Sequence, residues 1–129
     1  MLTEKDYCDY ETCVALKELG YVGSRQECEC FGAYFNFGKD IFTDSLDNTE
    51  VGTNEFLRVP LYLAQKWMRE ERNIIVEVFV DDDSDTPITY NIYKDGECVC
   101  HHQGKYWSVK EWSEALSEGI KEAVKILKE

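Results

Sequence analysis

The C-terminal half of the chain contains residues that predict where its helices and strands begin and end. This half restricts the fold more than any other feature of the sequence. A helix is predicted from Pro60 to Arg72, because apolar residues recur at helical spacing and proline suits the first turn. Asn73 suits the left-handed conformation that closes a helix. The segment 74–80 is rich in β-branched residues and predicts a central strand.

A tight β-hairpin is predicted around Asp95-Gly96. Both central residues of a type I′ turn need positive φ, which glycine adopts without steric cost and aspartate tolerates. The alternating residues on either side of the turn predict strands over 87–94 and 97–101.

The register of this hairpin follows from counting outward from the turn. The count pairs Ile92 with Val99 and places both on the face toward the core, because paired residues of antiparallel strands share a face. Cys98 and Cys100 are then expected to lie together on the other face of the sheet.

A long C-terminal helix is predicted to begin at Ser108. Ser108 and Glu111 have the spacing of a capping box, in which each side chain accepts a hydrogen bond from the backbone N–H of the other residue. Behind this cap, apolar residues at three- and four-residue steps form one stripe that we expect to be buried. These residues are Val109, Trp112, Leu116, Ile120, Ala123 and Leu127.

The N-terminal half carries weaker signals. A helix is predicted from a cap at Thr3 to Gly20, because glycine favours the end of a helix. The segment 27–37 mixes cysteine with aromatic residues and predicts one or two strands, while 44–55 is typical of a polar loop.

Together these elements predict a single α+β domain over residues 1–129. Its antiparallel sheet contains a C-terminal α-β-β-β-α unit and is extended by the N-terminal strands, next to an N-terminal helix. A chain of 129 residues is long enough to bury about two thirds of its unfolded surface, so it needs no disulfide bonds.

The beginning of the chain bears on the compartment. The sequence Met-Leu-Thr-Glu-Lys lacks the basic and apolar regions of a signal peptide, and no stretch reaches a membrane-spanning length. We therefore expect a cytoplasmic protein without membrane contact. The six cysteines are then expected to be reduced and mostly buried.

The net charge of −12 predicts the kind of partner. It disfavours direct binding of nucleic acid, because that binding depends largely on lysine and arginine displacing counterions from phosphates. An acidic surface instead suits a basic face of another protein. Glu114, Glu118 and Glu122 are the candidate residues, since four-residue steps place them side by side on a helix. The alternative is that acidity only keeps the protein soluble.

Two Cys-x-Cys pairs are the candidate metal ligands. Cys28 with Cys30 and Cys98 with Cys100 could each offer two thiolates on one face of a strand, and a tetrahedral zinc site needs four ligands. Structural zinc sites more often use Cys-x2-Cys, in which a turn lets the sulfurs converge. The pairs therefore support only an alternative function, a metal- or small-ligand-binding domain.

Signals of catalysis are fragmentary. The sequence has no glycine-rich phosphate loop, nucleophile elbow or metal-hydrolase helix motif. A Cys-His nucleophile would need Cys98 or Cys100 beside His101 or His102, but neighbours in a regular strand point to opposite faces. We expect a protein without enzymatic activity and without a cofactor.

Two segments carry a resemblance to known proteins. They are Val-Pro-Leu-Tyr-Leu-Ala-Gln-Lys-Trp-Met-Arg-Glu at 59–70 and Trp-Ser-Val-Lys-Glu-Trp-Ser-Glu-Ala-Leu-Ser-Glu-Gly-Ile-Lys-Glu-Ala at 107–123. With the hairpin between them they resemble small uncharacterised proteins of gut Bacteroidetes and of the phages and mobile elements of those bacteria. The resemblance implies a cytoplasmic protein with a compact α+β fold and assigns no activity. We therefore expect a non-catalytic interaction protein of phage or mobile-element type that binds a basic host protein.

Overall fold

The structure is a computed structural model, and it describes residues 4–23, 33–36, 40–43, 48, 55–101 and 105–129. The chain divides into two compact units, residues 7–60 and residues 1–6 with 61–129. Each unit combines helix with antiparallel strands, which confirms the predicted α+β class.

The described part of the N-terminal unit contains one helix and a small antiparallel sheet of order β2-β1-β3. Its elements are α1 (Tyr10–Glu18), β1 (Ala33–Asn36), β2 (Asp40–Thr43) and β3 (Glu55–Leu57). The predicted extension of the C-terminal sheet by these strands is wrong, because they pair with one another. A short connection brings β1 and β2 together at little entropic cost. Parts of the predicted strand region 27–37 and loop region 44–55, namely 27–32, 37, 44–47 and 49–54, lie outside the described residues.

The helix α1 begins later than its sequence signal predicts. The Asp9 carboxylate caps it by accepting a hydrogen bond from Thr12 N at 2.9 Å, and the predicted cap at Thr3 lies outside the described residues. Cys8 does not join the helix, because its N–H donates to Val59 O at 2.8 Å. A backbone pairing that is distant in sequence therefore sets the start of α1.

The end of α1 is as predicted. Gly20 has a φ of 102°, in the left-handed region that favours glycine. Its N–H donates to Lys17 O at 3.0 Å, and Tyr21 N donates to Leu16 O at 2.8 Å. These two hydrogen bonds satisfy carbonyl groups that have no partner within the helix.

The C-terminal unit has the predicted order α-β-β-β-α, with an antiparallel sheet of order β4-β5-β6. Its elements are α2 (Leu61–Arg72), β4 (Ile74–Val80), β5 (Ile88–Lys94), β6 (Glu97–His101) and α3 (Trp112–Lys128). The predicted turn residues are confirmed. Asn73 has a φ of 52° between α2 and β4, and Asp95 and Gly96 have φ values of 52° and 86° in the hairpin turn.

One face of this sheet is covered by helices. The helix α3 contacts β4 and β5, and α2 contacts β4 and α3. Ile74, Val76 and Ile92 are buried on this face. An added Cβ at Gly119 would lie 2.5 Å from Cγ1 of Val76, so the glycine permits the close approach of α3 to β4.

The strand pairing also identifies the residues on the other face of the sheet, which is called the opposite face. Residues that alternate with the buried set on each strand point to it. They are Ile75, Glu77 and Phe79 on β4, Thr89, Asn91 and Tyr93 on β5, and Cys98 and His101 on β6.

The β5–β6 hairpin departs from the predicted register. Tyr93 pairs with Cys98 as predicted, but Ile92 then pairs with Cys100. Val99 therefore forms a β-bulge and is 46% exposed, so the predicted pairing and burial of Val99 are wrong. Counting from the turn assumes a regular ladder, whereas one extra residue exchanges the faces of the residues beyond it.

The predicted capping interaction precedes α3. Ser108 N donates to the Glu111 carboxylate at 2.9 Å, and this hydrogen bond holds the pKa of Glu111 below its usual value. A short 3-10 helix, Val109–Glu111, separates the cap from α3.

The apolar stripe of α3 is buried only in its middle. Leu116, Ile120 and Ala123 are buried, but Val109 and Trp112 are 66% and 42% exposed, so their predicted burial is wrong. The tighter 3-10 turn rotates the first residues out of the stripe. Among the described residues, no helix is both long and apolar enough to cross a membrane.

Candidate functional site

The predicted acidic residues Glu114, Glu118 and Glu122 lie along α3 and are called the acidic row. Their side chains are 44%, 37% and 32% exposed. The helix that carries them is held on the sheet by the buried residues Ile120 and Ala123. The row is therefore a partly exposed set of carboxylates on a rigid element.

Each carboxylate of the acidic row has a lysine within ion-pair distance. The nitrogen-to-oxygen distances are 3.9 Å for Lys5–Glu114, 3.6 Å for Lys121–Glu118 and 3.3 Å for Lys125–Glu122. Solvent-exposed pairs of this kind contribute about 0–1 kcal/mol each. A basic group of a partner can therefore replace the lysines at small cost.

The acidic row also acts on groups of the sheet. Burial raises the pKa of the Tyr90 phenol to about 12, with smaller contributions from Cys100, Glu122 and Glu118. The Tyr90 side chain lies on the helix-covered face and is 3% exposed. Two charges of the row, at Glu118 and Glu122, therefore act on this part of the core.

A second acidic segment connects β4 with β5. Residues 81–86 are all exposed and include four aspartates. The Asp82 carboxylate accepts hydrogen bonds from Ser84 Oγ at 2.6 Å and Ser84 N at 2.9 Å, which lower the pKa of Asp82. The Tyr106 hydroxyl donates to Asp81 at 3.0 Å. The segment is therefore a solvated connection between the two strands.

The bulge at Val99 separates the two thiols of the Cys98-x-Cys100 pair. Cys98 pairs with Tyr93 and Cys100 with Ile92, and these two neighbours on β5 point to opposite faces. The expectation that Cys98 and Cys100 share a face is therefore wrong. Partial burial and then Glu122, which belongs to α3, raise the pKa of the Cys100 thiol.

The same bulge brings Cys98 and His101 together on the opposite face. The Cys98 sulfur lies 3.7 Å from His101 Nε2 and 3.9 Å from Nδ1, and both side chains are exposed. In the regular ladder that the sequence predicts, residues three apart would lie on different faces. The pair was therefore missed, and Cys98 is also an exception to the predicted burial of the cysteines.

Two polar residues continue this site across the sheet. Asn91 pairs with His101, and Glu77 pairs with Asn91, so all three side chains lie on the opposite face. The Asn91 Oδ1 atom is buried and accepts no hydrogen bond from the described part of the chain. A buried amide oxygen without a partner is uncommon and calls for an explanation.

The positions of the four candidate cysteines give the zinc hypothesis little support. Cys28 and Cys30 lie outside the described residues, and Cys98 and Cys100 point to different faces. Within the ranges that the structure describes, no three His, Cys, Asp or Glu side chains form a group that could hold a metal ion. The metal content of the purified protein tests the hypothesis directly.

Cys8 and Cys13 come together in the N-terminal unit, although residues five apart in the predicted helix would lie on different sides of it. Cys8 precedes α1, and Cys13 Sγ donates to Cys8 O at 3.7 Å and accepts from Val59 N at 3.4 Å. Hydrogen bonding with Cys13, followed by burial, raises the pKa of Cys8. These contacts give the two buried thiols a structural role.

No family model, no curated protein and no solved structure matches the chain. Function is therefore inferred from the acidic row and from the residues around Cys98.

Proposed function

We propose that the chain is a non-catalytic interaction protein of phage or mobile-element type, which binds a basic surface of a host protein in the cytoplasm. The observation that carries the proposal is the acidic row of Glu114, Glu118 and Glu122 on a helix whose other side is buried. A rigid helix presents its charges at fixed positions, and such a surface suits a partner with matching basic groups.

The total charge supports the same kind of partner. At a net charge of −12 the chain attracts basic surfaces over a distance of about one Debye length and repels phosphate backbones. Electrostatic complementarity of this kind mainly raises the association rate. We therefore expect a partner that associates quickly at low salt and more slowly at high salt.

Two triple variants test the proposal, since they change the charge equally at different places. Glu114→Gln/Glu118→Gln/Glu122→Gln removes the acidic row, and Asp81→Asn/Asp82→Asn/Asp83→Asn removes three charges from the β4–β5 connection. Partners are recovered from a bacterial lysate at low ionic strength, and their association rates with the parent and the variants are then measured. We expect the glutamine variant to associate at least about tenfold more slowly at low salt, because oriented charges steer the encounter. The asparagine variant should retain most of the rate.

The stability of both variants serves as the control. The glutamine variant loses three exposed ion pairs and also the repulsion between glutamates four residues apart, so its unfolding free energy should change by less than about 1 kcal/mol. Equal loss of rate in the two variants would show that only net charge matters. Full retention of every partner by the glutamine variant would remove the row from the proposal.

A further inference from the structure

We propose that Cys98 and His101 form a thiol–disulfide exchange site, at which Cys98 takes up low-molecular-weight disulfides and prefers cationic ones. The site is independent of the acidic row and of the proposed partner. It lies on the opposite face of the C-terminal sheet, where both side chains are exposed.

The geometry provides a base beside the nucleophile. The Cys98 sulfur is 3.7 Å from His101 Nε2, so the imidazole can accept the thiol proton after a small rotation. Thiolate is the form of cysteine that attacks disulfides. Both residues belong to β6 and both are paired with residues of β5, on either side of the bulge at Val99, so the pair is held in place by the sheet.

The row across the sheet places two polar side chains beside His101. Asn91 lies directly opposite His101, and side chains in such cross-strand pairs have Cβ atoms about 4.5–5.5 Å apart. The buried Asn91 Oδ1 accepts no hydrogen bond from any described residue, His101 included, so it is available to accept an N–H of the ring when the ring turns toward Asn91. Glu77 adds a negative charge at the next position of the row.

The exchange step needs only the Cys98 thiol, the His101 imidazole and the small disulfide. His101 takes the proton of the Cys98 thiol, and the thiolate attacks one sulfur of the small disulfide. A bond forms between Cys98 and that sulfur, while the bond between the two sulfurs of the reagent breaks. The second sulfur leaves as a thiolate and takes the proton from His101. Cys98 is oxidised to a mixed disulfide, and the leaving thiol is reduced.

The charge of the chain determines which disulfide is preferred, and the position of Cys100 determines whether the mixed disulfide persists. A net charge of −12, with Glu77 on the same face, favours a cationic disulfide over an anionic one. Cys100 points to the helix-covered face and is not placed to displace the small thiol from Cys98. The mixed disulfide should therefore persist.

The test uses two defined probes, cystamine as a cationic disulfide and oxidised glutathione as an anionic one. Peptide mass mapping of the native protein measures the rate of modification at Cys98. In the parent we expect cystamine to react faster than oxidised glutathione, with a difference that shrinks at high salt. His101→Ala should slow the reaction at Cys98 at least about tenfold, as expected for loss of a general base.

Two further variants keep the result interpretable. Cys100→Ser should leave the rate at Cys98 unchanged, and Cys98→Ser should abolish the modification of this segment. Equal melting temperatures confirm folding, which is expected because Cys98 and His101 are exposed. The proposal is overturned if Cys98 reacts no faster in the native parent than in the urea-unfolded chain, or if His101→Ala and His101→Gln both react at the parent rate.

Discussion

Replacing Ile92 with alanine is expected to lower the free energy of unfolding by about 2–5 kcal/mol, the range for a buried isoleucine truncated in a core. Ile92 is 0% exposed, at the centre of β5 and beneath the helices. Val99→Ala is expected to change the same quantity by less than about 0.5 kcal/mol, because Val99 is bulged and 46% exposed. Urea unfolding of the two variants beside the parent measures both changes.

The contrast between these two variants tests the hairpin register. The regular ladder predicted from the turn pairs Ile92 with Val99 and buries both side chains. In that arrangement Val99→Ala would also cost more than about 1 kcal/mol, because it would leave a cavity in the core. A loss of that size at Val99 would contradict the bulge.

Asn48→Ala is expected to lower the free energy of unfolding by about 2–4 kcal/mol, because it removes two buried hydrogen bonds to the backbone. Asn48 Nδ2 donates to Tyr21 O at 2.8 Å, and its Oδ1 accepts from Leu57 N at 3.0 Å. The side chain is 5% exposed, and water cannot readily replace these bonds. Thermal and urea unfolding of the variant provide the measurement.

Asn91→Ala is the matched control for this loss. Like Asn48, Asn91 is an asparagine with a buried side-chain oxygen. Its Oδ1, however, accepts no hydrogen bond from the residues that the structure describes. Its removal should change the unfolding free energy by less than about 1 kcal/mol, since no bond to a described residue is lost. If Asn48→Ala were as mild as Asn91→Ala, the two bonds of Asn48 would not stabilise the N-terminal unit.

The C-terminal order of helices and strands was predictable because its signals are local. Asn73 and the Asp95-Gly96 turn adopt positive φ for reasons contained in those residues themselves. The cap formed by Glu111 and the end of α1 at Gly20 depend on neighbours within a few residues. Interactions between residues that are only a few positions apart can be recognised in a single sequence.

The missed features depend on contacts between distant parts of the chain. Cys8 is kept out of α1 by its backbone bond to Val59, and Asn48 joins Tyr21 to Leu57. A sequence pattern contains no information on which distant backbone groups need a partner. The same limit applies to the separate N-terminal sheet, whose strands carry no marker of the sheet to which they belong.

The candidate sites also contain some contacts between residues close in sequence, which could be predicted, and others between distant residues, which could not. The acidic row followed from helical spacing, and Lys121 and Lys125 are also recognisable three residues after Glu118 and Glu122. The Lys5 partner of Glu114 was not recognisable, since it lies at the other end of the chain. These lysines make the surface less negative than the sequence pattern alone indicates.

A single bulged residue decides which groups accompany Cys98. With Val99 out of the ladder, the thiol loses Cys100 as a neighbour on its face and gains His101. The chemistry expected of the segment changes accordingly, from a pair of metal-binding thiolates to a thiol beside a base. The chemistry of this segment therefore depends on the register of β5 against β6.

Cross-strand nuclear Overhauser effects in the folded protein measure that register directly. The bulged register predicts contacts between Ile92 and Cys100 and between Asn91 and His101. Contacts between Ile92 and Val99, with Asn91 opposite Cys100, would show a regular ladder and contradict it.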